Sequence, residues 1–350
     1  MFFRSLCLAG VAALSFAFAH PEDAPLCPDY GVNRVGSMVT EGYGVIAYGD
    51  FLYWTAQMDG LDLALRLTPF VNNINDGKMI EQNFQWDSAF RIGLGYYFKQ
   101  RGWDLNLEWT SFRTSASKVE NANGNTLHTL WGRVGVSETN TLQRISGHWD
   151  LEYDTLDLLL HPTPFRYGYF SVQPTIGLRY ARIDWDYKIM QHYLDVGDIT
   201  LVQTLPYNNR YHGGGFVAGL NTKWWMGYGL HVYAGANASL LYGEFKTVQH
   251  SNVLFNGQTE FKTTTTQDYW RVRANMHLIM GLGWEQLFAN NSVRLNLHVG
   301  YEFLTWFNQN QLYRSRSEIF GATNLLEYTP TIERDDLGIN GLTVGALLEF

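Results

Sequence analysis

The sequence predicts an all-β chain that folds as a transmembrane antiparallel β-barrel. Three observations lead to this prediction. Apolar and polar residues alternate through most of the chain, and many alternating runs are long enough to cross a bilayer. Short and long connections between these runs follow one another along the chain. We expect about ten strands, joined by short periplasmic turns and long extracellular loops.

The alternation is clearest in the segment FRIGLGYYF. Phe90, Ile92 and Leu94 share one parity there, whereas Arg91 and Gly93 share the other. The same period of two runs through WDLNLEWT, RVRANMHLIMGLGW, VRLNLHVGYEF and the final LTVGALLEF. Because successive side chains of a strand point to opposite faces, each segment predicts a strand with one apolar face and one mixed or polar face.

Strand length favours a membrane barrel over a soluble one. Several of the alternating runs last about ten residues, which is the length that a tilted strand needs to cross a bilayer and is longer than the usual strand of a soluble protein. Their polar faces carry Arg, Asp, Glu, Asn and His. This pattern is expected when the apolar face meets lipid and the polar face meets the lumen.

The connections give the number of strands. Short connections lie at 99–102, 162–168, 226–229 and 286–291, and long ones at 69–84, 113–147, 186–211, 244–268 and 308–335. Predicted strands lie near 85–98, 103–112, 148–160, 169–185, 212–225, 229–243, 269–285, 292–307 and 336–350. One long bent strand over 45–67 brings the number to about ten. If Asp59 and Gly60 form a turn instead, a further strand near 127–136 is needed and the number is about twelve, since both chain ends must lie in the periplasm.

Composition agrees with this architecture and excludes one class of partner. Aromatic residues make up 15% of the chain and charged residues 17%, below the roughly 25% of soluble domains. The net charge is −8, and no run of Lys and Arg is present. We therefore expect no nucleic-acid partner.

The N-terminal segment MFFRSLCLAGVAALSFAFAH has the form of a secretory signal peptide. One Arg precedes a short apolar stretch, and small residues precede a cleavage position after Ala19. We predict a signal peptide at 1–19, a periplasmic tail at 20–42 and an outer-membrane barrel at 43–350. Removal of the signal peptide leaves Cys27 as a single cysteine, and an intermolecular disulfide through Cys27 is one hypothesis for its role.

Four segments resemble a known family. They are YGDFLYWTAQMDGLDLAL at 48–65, LEYDTLDLLL at 151–160, QPTIGLRYARIDWDY at 173–187 and the C-terminal GLTVGALLEF. These segments are similar to parts of the major-outer-membrane-protein-like pore-forming proteins of Legionella and chlamydia-related bacteria. The resemblance implies a Gram-negative outer-membrane barrel assigned to pore formation. It also implies that a last strand ending in Phe350 serves as the assembly signal for the barrel-assembly machinery.

Charged residues on the polar faces are the candidates for lining a pore. The basic candidates are Arg66, Arg91, Arg179, Arg271, Arg273 and Arg294, and the acidic candidates are Asp50, Asp104, Glu108, Asp150, Glu152, Asp184 and Glu302. Opposite charges across a narrow lumen would give weak ion selectivity. The alternative is that these charges pair with one another and fill the interior, as side chains do in small barrels.

Aromatic residues near strand ends predict girdles at the membrane surfaces. They are Tyr53, Trp54, Trp103, Trp109, Trp149, Trp185, Trp224, Trp225, Trp284 and Trp306. Trp54 and Trp306 share the parity of the lumen side, so the girdles cannot contain all of them.

The sequence predicts a porin-like protein that allows passive diffusion of small hydrophilic solutes or ions. The alternative is a closed structural or adhesive barrel that binds partners through its extracellular loops. We expect no cofactor and no enzymatic activity, because no Gly-x-Ser-x-Gly or His-x-x-x-His pattern accompanies the histidines. The expected partners are outer-membrane lipid, the barrel-assembly machinery, small hydrophilic solutes and a disulfide-linked or oligomeric partner.

Overall fold

The computed structural model describes residues 43–69, 76–132, 141–194, 200–256, 258–289, 292–320, 325–332 and 335–350. The predicted signal peptide, the periplasmic tail and Cys27 lie outside the described residues. No helix in the described part of the chain is long and apolar enough to cross a membrane.

Sixteen strands follow one another along the described chain. They are β1 (Val45–Met58), β2 (Ala64–Leu67), β3 (Gly77–Ile80), β4 (Trp86–Phe98), β5 (Trp103–Asn121), β6 (Thr126–Thr129), β7 (Thr141–His161), β8 (Phe165–Tyr167), β9 (Phe170–Leu194), β10 (Thr200–Gly227), β11 (Leu230–Phe255), β12 (Gln258–Phe288), β13 (Val293–Trp306), β14 (Tyr313–Phe320), β15 (Leu325–Ile332) and β16 (Leu337–Glu349).

Ten of these strands form a closed antiparallel ring. Its order is β1, β4, β5, β7, β9, β10, β11, β12, β13 and β16, and β16 pairs again with β1. Backbone hydrogen bonds of 2.9 Å join Val45 and Phe350 in both directions at the point of closure. Closure leaves no sheet edge within the lipid, which a membrane barrel requires. The prediction of about ten strands in a closed antiparallel barrel is therefore confirmed.

The prediction of one bent strand over 45–67 is wrong, although the strand number is right. β1 ends at Met58, and Asp59 and Gly60 form a turn. The short strand β2 that follows leaves the ring and pairs with β3 and β6. We call β2, β3 and β6 the lid sheet, because Leu61 and Gln82, which lie next to β2 and β3, contact Tyr187 on the inner surface of the ring. Glycine suits this turn, since Gly60 has a φ of +80°.

The barrel has a turn end and a loop end. At the turn end, β4 and β5 and also β10 and β11 are joined by short turns, as predicted. The predicted loops at 186–211 and 244–268 are instead strands that continue beyond the membrane, so that only 195–199 and 256–257 separate β9 from β10 and β11 from β12. The polar composition of these segments misled the prediction, because strands that rise into water carry polar residues on their outer face.

Part-way along the long strands, the outward residues change from apolar to polar and the inward residues change from polar to apolar. In β9, Ile176 and Leu178 point outward and Arg179 points inward near the turn end, whereas Arg182 points outward and Ile183 points inward above it. The outward apolar stretch of β11 runs from Leu230 to Tyr242, about 28 Å at a tilt of about 45°. This height matches the apolar belt of an outer-membrane barrel. The wall above it is an extramembrane barrel with an apolar core.

Candidate functional site

The candidate site is the barrel interior, which consists of two layers. The inward positions within the apolar belt are mostly polar or charged, and those toward the loop end are mostly apolar and aromatic. Alternate residues of each strand face inward, so the residue types at these inward positions determine the composition of each layer. The interior thus has a polar layer within the apolar belt and an apolar, aromatic layer above it.

An arginine cluster lies in the polar layer. Arg91 on β4 forms a bidentate ion pair with Glu302 on β13, with N to O distances of 2.8 and 2.9 Å. Asp50 lies 3.1 Å and Glu108 lies 3.4 Å from the same guanidinium group. Thr343 donates a hydrogen bond of 2.6 Å to Glu302. Bidentate arginine and carboxylate pairs are among the strongest charge-assisted contacts, so this cluster links five strands of the ring, β1, β4, β5, β13 and β16.

A second ion pair joins two neighbouring strands, and its arginine also reaches a strand further around the ring. Arg179 on β9 donates hydrogen bonds of 2.8 and 2.6 Å to both carboxylate oxygens of Asp157 on β7. Its remaining nitrogen donates a hydrogen bond of 2.7 Å to the side-chain oxygen of Asn275 on β12, three strands away around the ring. This bridge leaves little room for a continuous aqueous path at its level.

A third cluster lies near the turn end around Glu285. Lys223 lies 3.2 Å and Arg294 lies 3.4 Å from this carboxylate, and Asn296 donates a hydrogen bond of 3.1 Å to it. Arg294 also pairs with Glu349 on the last strand at 2.5 Å. A polar cavity of about 100 Å³ lies beside this cluster, and Asp104 and Gln173 are among its lining residues.

Aromatic side chains close the interior above the charged layer. We call Trp54, Phe112, Trp149, Tyr153, Trp185, Tyr211, Phe245 and Trp306 the aromatic seal, and each of them is almost fully buried. The rings of Tyr153 on β7 and Trp306 on β13 lie 6.2 Å apart, although these strands are opposite each other in the ring. Tyr211 on β10 approaches Trp306 to 6.4 Å. The opposite walls are therefore in contact through their side chains.

The lid sheet and its neighbouring residues cover the seal. Tyr187 on β9 donates a hydrogen bond of 2.9 Å to the carbonyl oxygen of Leu61 and receives one of 2.7 Å from Gln82. The indole nitrogen of Trp131 donates a hydrogen bond of 2.7 Å to the carbonyl oxygen of Asp62. These contacts attach residues from outside the ring to its inner surface. They extend the apolar layer beyond the aromatic seal toward the loop end.

Most of the predicted pore-lining residues lie inside the ring. They are Arg91, Asp104, Glu108, Arg179, Arg273, Arg294 and Glu302. Arg66 lies outside it, in the lid sheet, where it pairs with Glu120 at 2.6 Å. Arg271 lies on β12 beyond the last residue that pairs with β13, is exposed, and stacks 5.0 Å from the ring centre of Tyr269. Arg66 and Arg271 therefore do not line the enclosed interior.

The change from apolar to polar outward residues also corrects the expectations for three acidic pore-lining candidates and for half of the girdle aromatics. Asp150, Glu152 and Asp184 point outward above the apolar belt, because the inward parity there belongs to apolar residues. Five of the predicted girdle residues are buried inside the barrel, and they are Trp54, Trp149, Trp185, Trp225 and Trp306. Tyr53, Trp103, Trp109 and Trp224 are exposed on the outer surface, as a girdle requires.

Sequence reasoning missed three interior residues that complete the charged layer. Asp157, Asn275 and Glu285 accept the hydrogen bonds of Arg179 and Lys223. For Asp157 and Asn275 the signal was present in the alternation, because each has apolar neighbours at both adjacent positions. In a strand that crosses lipid, a polar residue between two apolar residues points into the lumen. Glu285 is followed by Gln286, so its alternation is less clear.

A serine, a histidine and an aspartate also meet on the outer wall. The hydroxyl of Ser117 lies 2.6 Å from Nδ1 of His148, whose Nε2 lies 3.0 Å from Asp150. About half of the His148 and Asp150 side chains is exposed on this sheet face. The cluster resembles a hydrolase triad in composition alone. The backbone N–H groups beside it are engaged in pairing between strands, whereas a hydrolase needs such groups to stabilise an oxyanion.

Comparison with known proteins gives the family. Residues 45–350 match the family model described as Legionella pneumophila major outer membrane protein precursor. This chain belongs to that family. The match covers all ten strands of the ring, so the family assignment and the barrel describe the same part of the chain, and both place the family member in the outer membrane. No curated protein is similar enough in sequence to count as a relative.

Solved structures that resemble this family member include outer-membrane proteins. The outer membrane protease OmpT from Escherichia coli has 6% sequence identity and a TM-score of 0.41, covering 87% of this chain and 96% of that chain. A FadL homologue from Pseudomonas aeruginosa has 7% identity and a TM-score of 0.22, covering 89% and 93%. The monoaromatic hydrocarbon channel TodX, as a deletion mutant, has 6% identity and a TM-score of 0.25, covering 89% and 91%.

Proposed function

We propose that this chain is a closed barrel of the outer membrane that presents its tall wall and loops at the cell surface. The observation that carries the proposal is the contact between Tyr153 and Trp306 across the lumen, with ring centroids 6.2 Å apart. A hydrated ion cannot pass between aromatic rings at this separation. A ring of ten strands is also narrow enough for side chains to fill it.

The charged layer supports closure in the membrane-embedded half. Arg91, Arg179 and Arg294 are each paired with a carboxylate, Arg91 with Glu302 three strands away around the ring and Arg179 with Asp157 on the neighbouring strand. Breaking such a buried pair is costly, because it leaves an uncompensated charge away from water. The clusters therefore favour a structural role for these residues.

The tall wall supports a role in surface presentation. In β10 the outward residues from Val202 to Arg210 lie beyond the apolar belt, which corresponds to roughly 20 Å of wall height. The outward positions of β9, β11 and β12 at this height are mainly polar. A protein that only closed a ring in the lipid would not need this extension, so the proposal assigns partner binding to the wall and the loops.

Single-channel conductance in a planar bilayer tests the proposal. The refolded wild type should insert without conductance steps, whereas a Tyr153→Ala/Trp306→Ala variant should leak, because both rings of the central contact are removed. Trp224→Ala, which removes an exposed aromatic from the outer surface, serves as the control and should stay silent. Frequent discrete steps from the wild type would overturn the closed-barrel proposal.

A pore for small hydrophilic solutes or ions is the second candidate function. The polar cavity near the turn end and the charged layer beside it favour this candidate, and the family resemblance implies pore formation. On this hypothesis the aromatic seal is displaced in an open state. Wild-type steps whose ion selectivity changes in Arg294→Ser, but not in the external variant Arg66→Ser, would support the pore.

A further inference from the structure

The cluster around Arg91 carries more negative than positive groups. Glu302, Asp50 and Glu108 lie 2.8, 3.1 and 3.4 Å from its guanidinium group, and none of the four side chains is more than 18% exposed. One positive and three negative groups leave a formal charge of −2 when all three carboxylates are ionised. Charge that is neither paired nor hydrated is costly at membrane depth, so this cluster requires further positive charge.

Two histidines lie against this cluster from neighbouring strands. Nε2 of His277 on β12 lies 2.8 Å from a carboxylate oxygen of Glu302. Nε2 of His298 on β13 lies 3.2 Å from a carboxylate oxygen of Asp50. The two imidazole side chains are 13% and 18% exposed. Each histidine therefore contacts a carboxylate that already holds Arg91, so the two imidazoles lie at the ends of one chain of contacts.

The other charged groups of the polar layer are engaged among themselves. Among the described residues, the titratable and charged groups that face the two imidazoles are Tyr48 and Asp50 on β1, Arg91 on β4, Glu108 on β5, Asp157 on β7, Arg179 on β9, His231 and Tyr233 on β11, and Glu302 on β13. Arg179 pairs with Asp157, and the cluster around Glu285 contains two basic and two acidic residues. Toward the loop end, Arg273 stacks 4.6 Å from the ring centre of Phe245 in the aromatic seal. The imidazoles are therefore the groups placed to neutralise the excess carboxylates.

We propose that His277 and His298 form a proton-binding site inside the barrel, which takes up two protons and thereby neutralises the Arg91 cluster. A neutral imidazole can donate one hydrogen bond, so the two contacts alone do not require a positive charge. The excess of two carboxylates does require it, because a buried charge without compensation is costly. Histidine is the side chain that ordinarily exchanges a proton between about pH 5 and pH 8. The charge of the cluster therefore depends on pH in this range.

The site lies on the turn-end side of the aromatic seal. The inward residues of β13 follow one another as Arg294, Asn296 and His298, and Arg294 lines the polar cavity near the turn end. His298 thus lies two inward positions beyond the lining of this cavity, roughly 13 Å along the strand. The seal separates the cluster from the loop end, so the site responds to the pH on the periplasmic side.

Proton binding at this site stabilises the folded barrel in acid. Each imidazole has a carboxylate beside it in the folded barrel, whereas the unfolded chain lacks this arrangement. The folded state therefore binds more protons than the unfolded state, and the free energy of unfolding falls as the pH rises. Because His298, Asp50, Arg91, Glu302 and His277 join four strands of the ring, the two protons strengthen the contacts between β1, β4, β12 and β13.

Urea unfolding of the protein in detergent micelles, at about pH 6 and at about pH 8, tests the site. The wild type should have the higher urea midpoint at the lower pH, with a pH dependence that corresponds to uptake of about two protons on folding. His277→Gln/His298→Gln, which keeps a hydrogen-bond donor at each position, should lose this dependence. His148→Gln/His250→Gln, which changes two histidines of the outer wall, is the matched control and should retain it. Equal wild-type midpoints at the two pH values, or an unchanged dependence in the first variant, would overturn the proposal.

Nuclear magnetic resonance of the folded protein with isotope-labelled histidine shows directly which rings are protonated. The single variants His277→Gln and His298→Gln assign the two signals, so the measurement does not depend on folding of the double variant. Both rings should have the imidazolium signature at about pH 6. A neutral signature for either ring at this pH would contradict the site. Neither experiment measures conductance, so their outcomes are independent of whether the barrel is closed.

Discussion

Tyr153 and Trp306 stand on opposite walls of the barrel, and their ring centroids are 6.2 Å apart. Because β7 and β13 are separated by the full width of the ring, this contact determines how wide the enclosed space can be. The same two side chains lie between the charged layer and the lid sheet. Removing them therefore tests closure and stability together.

Trp306→Ala should lower the free energy of unfolding by about 3 to 5 kcal/mol, since it leaves a large cavity among fully buried rings. Urea unfolding in detergent micelles, followed by tryptophan fluorescence, measures this loss. Trp103→Ala is the control, because that side chain is exposed at the outer surface. Equal losses in the two variants would contradict the importance of the seal.

Glu302→Gln should destabilise the barrel by about 3 kcal/mol or more, because it removes the bidentate partner of the buried Arg91. The double variant Arg91→Gln/Glu302→Gln should lose less than the sum of the two single variants, since neither charge is then left alone. The exposed pair of Arg113 and Asp154 provides the comparison. Arg113→Gln should cost about 1 kcal/mol or less in the same unfolding experiment.

Gly93→Ala should destabilise the barrel by about 1 to 3 kcal/mol through overpacking. A Cβ at Gly93 would lie 2.1 Å from the ring of Tyr48, which rests on this glycine and donates a hydrogen bond of 2.9 Å to Glu108. Gly214→Ala is the matched control, because a Cβ there meets only the carbonyl oxygen of Arg179, at 4.0 Å. Equal unfolding midpoints for the two variants would show that Tyr48 relaxes without loss.

Closure of the ring predicts a crosslink between the first and last strands. Phe51 on β1 and Val344 on β16 are register partners on the lipid-facing side, so cysteines at these positions should form a disulfide on oxidation. Cys27→Ser serves as the background, and migration on non-reducing gels is the readout. The pair at Phe51 and Leu342, offset by two residues, should crosslink poorly. Preference for the offset pair would contradict the register.

The sequence allowed the membrane barrel and its strand number to be predicted because alternation sustained over about ten residues is typical of strands that cross a bilayer. It did not allow the tall wall to be recognised. In QPTIGLRYARIDWDY, Arg179 points inward and Arg182 points outward, so the charged parity changes between them. This change marks where lipid gives way to water. A prediction that assigns all charged residues of a strand to the lumen therefore places Asp184 on the wrong side.

The interior could be predicted in composition but not in pairing. The alternation identified Arg91, Arg179 and Glu302 as inward residues, since each lies between apolar neighbours. Their partners depend on which strands face one another across the ring, and no local pattern contains that information. The lid sheet was not predicted for a similar reason, because β2 and β3 have only four residues each and β2 also pairs with β6, which is distant in sequence.

The exchange of faces along β9 to β12 also sets the depth at which the molecule sits. Sliding a strand outward by two residues would expose apolar positions such as Tyr180 to water, and sliding it inward would carry Arg182 into hydrocarbon. Each wall strand thus carries its own depth marker. Bilayers of different thickness must therefore deform around this barrel, because the barrel cannot move vertically to suit them.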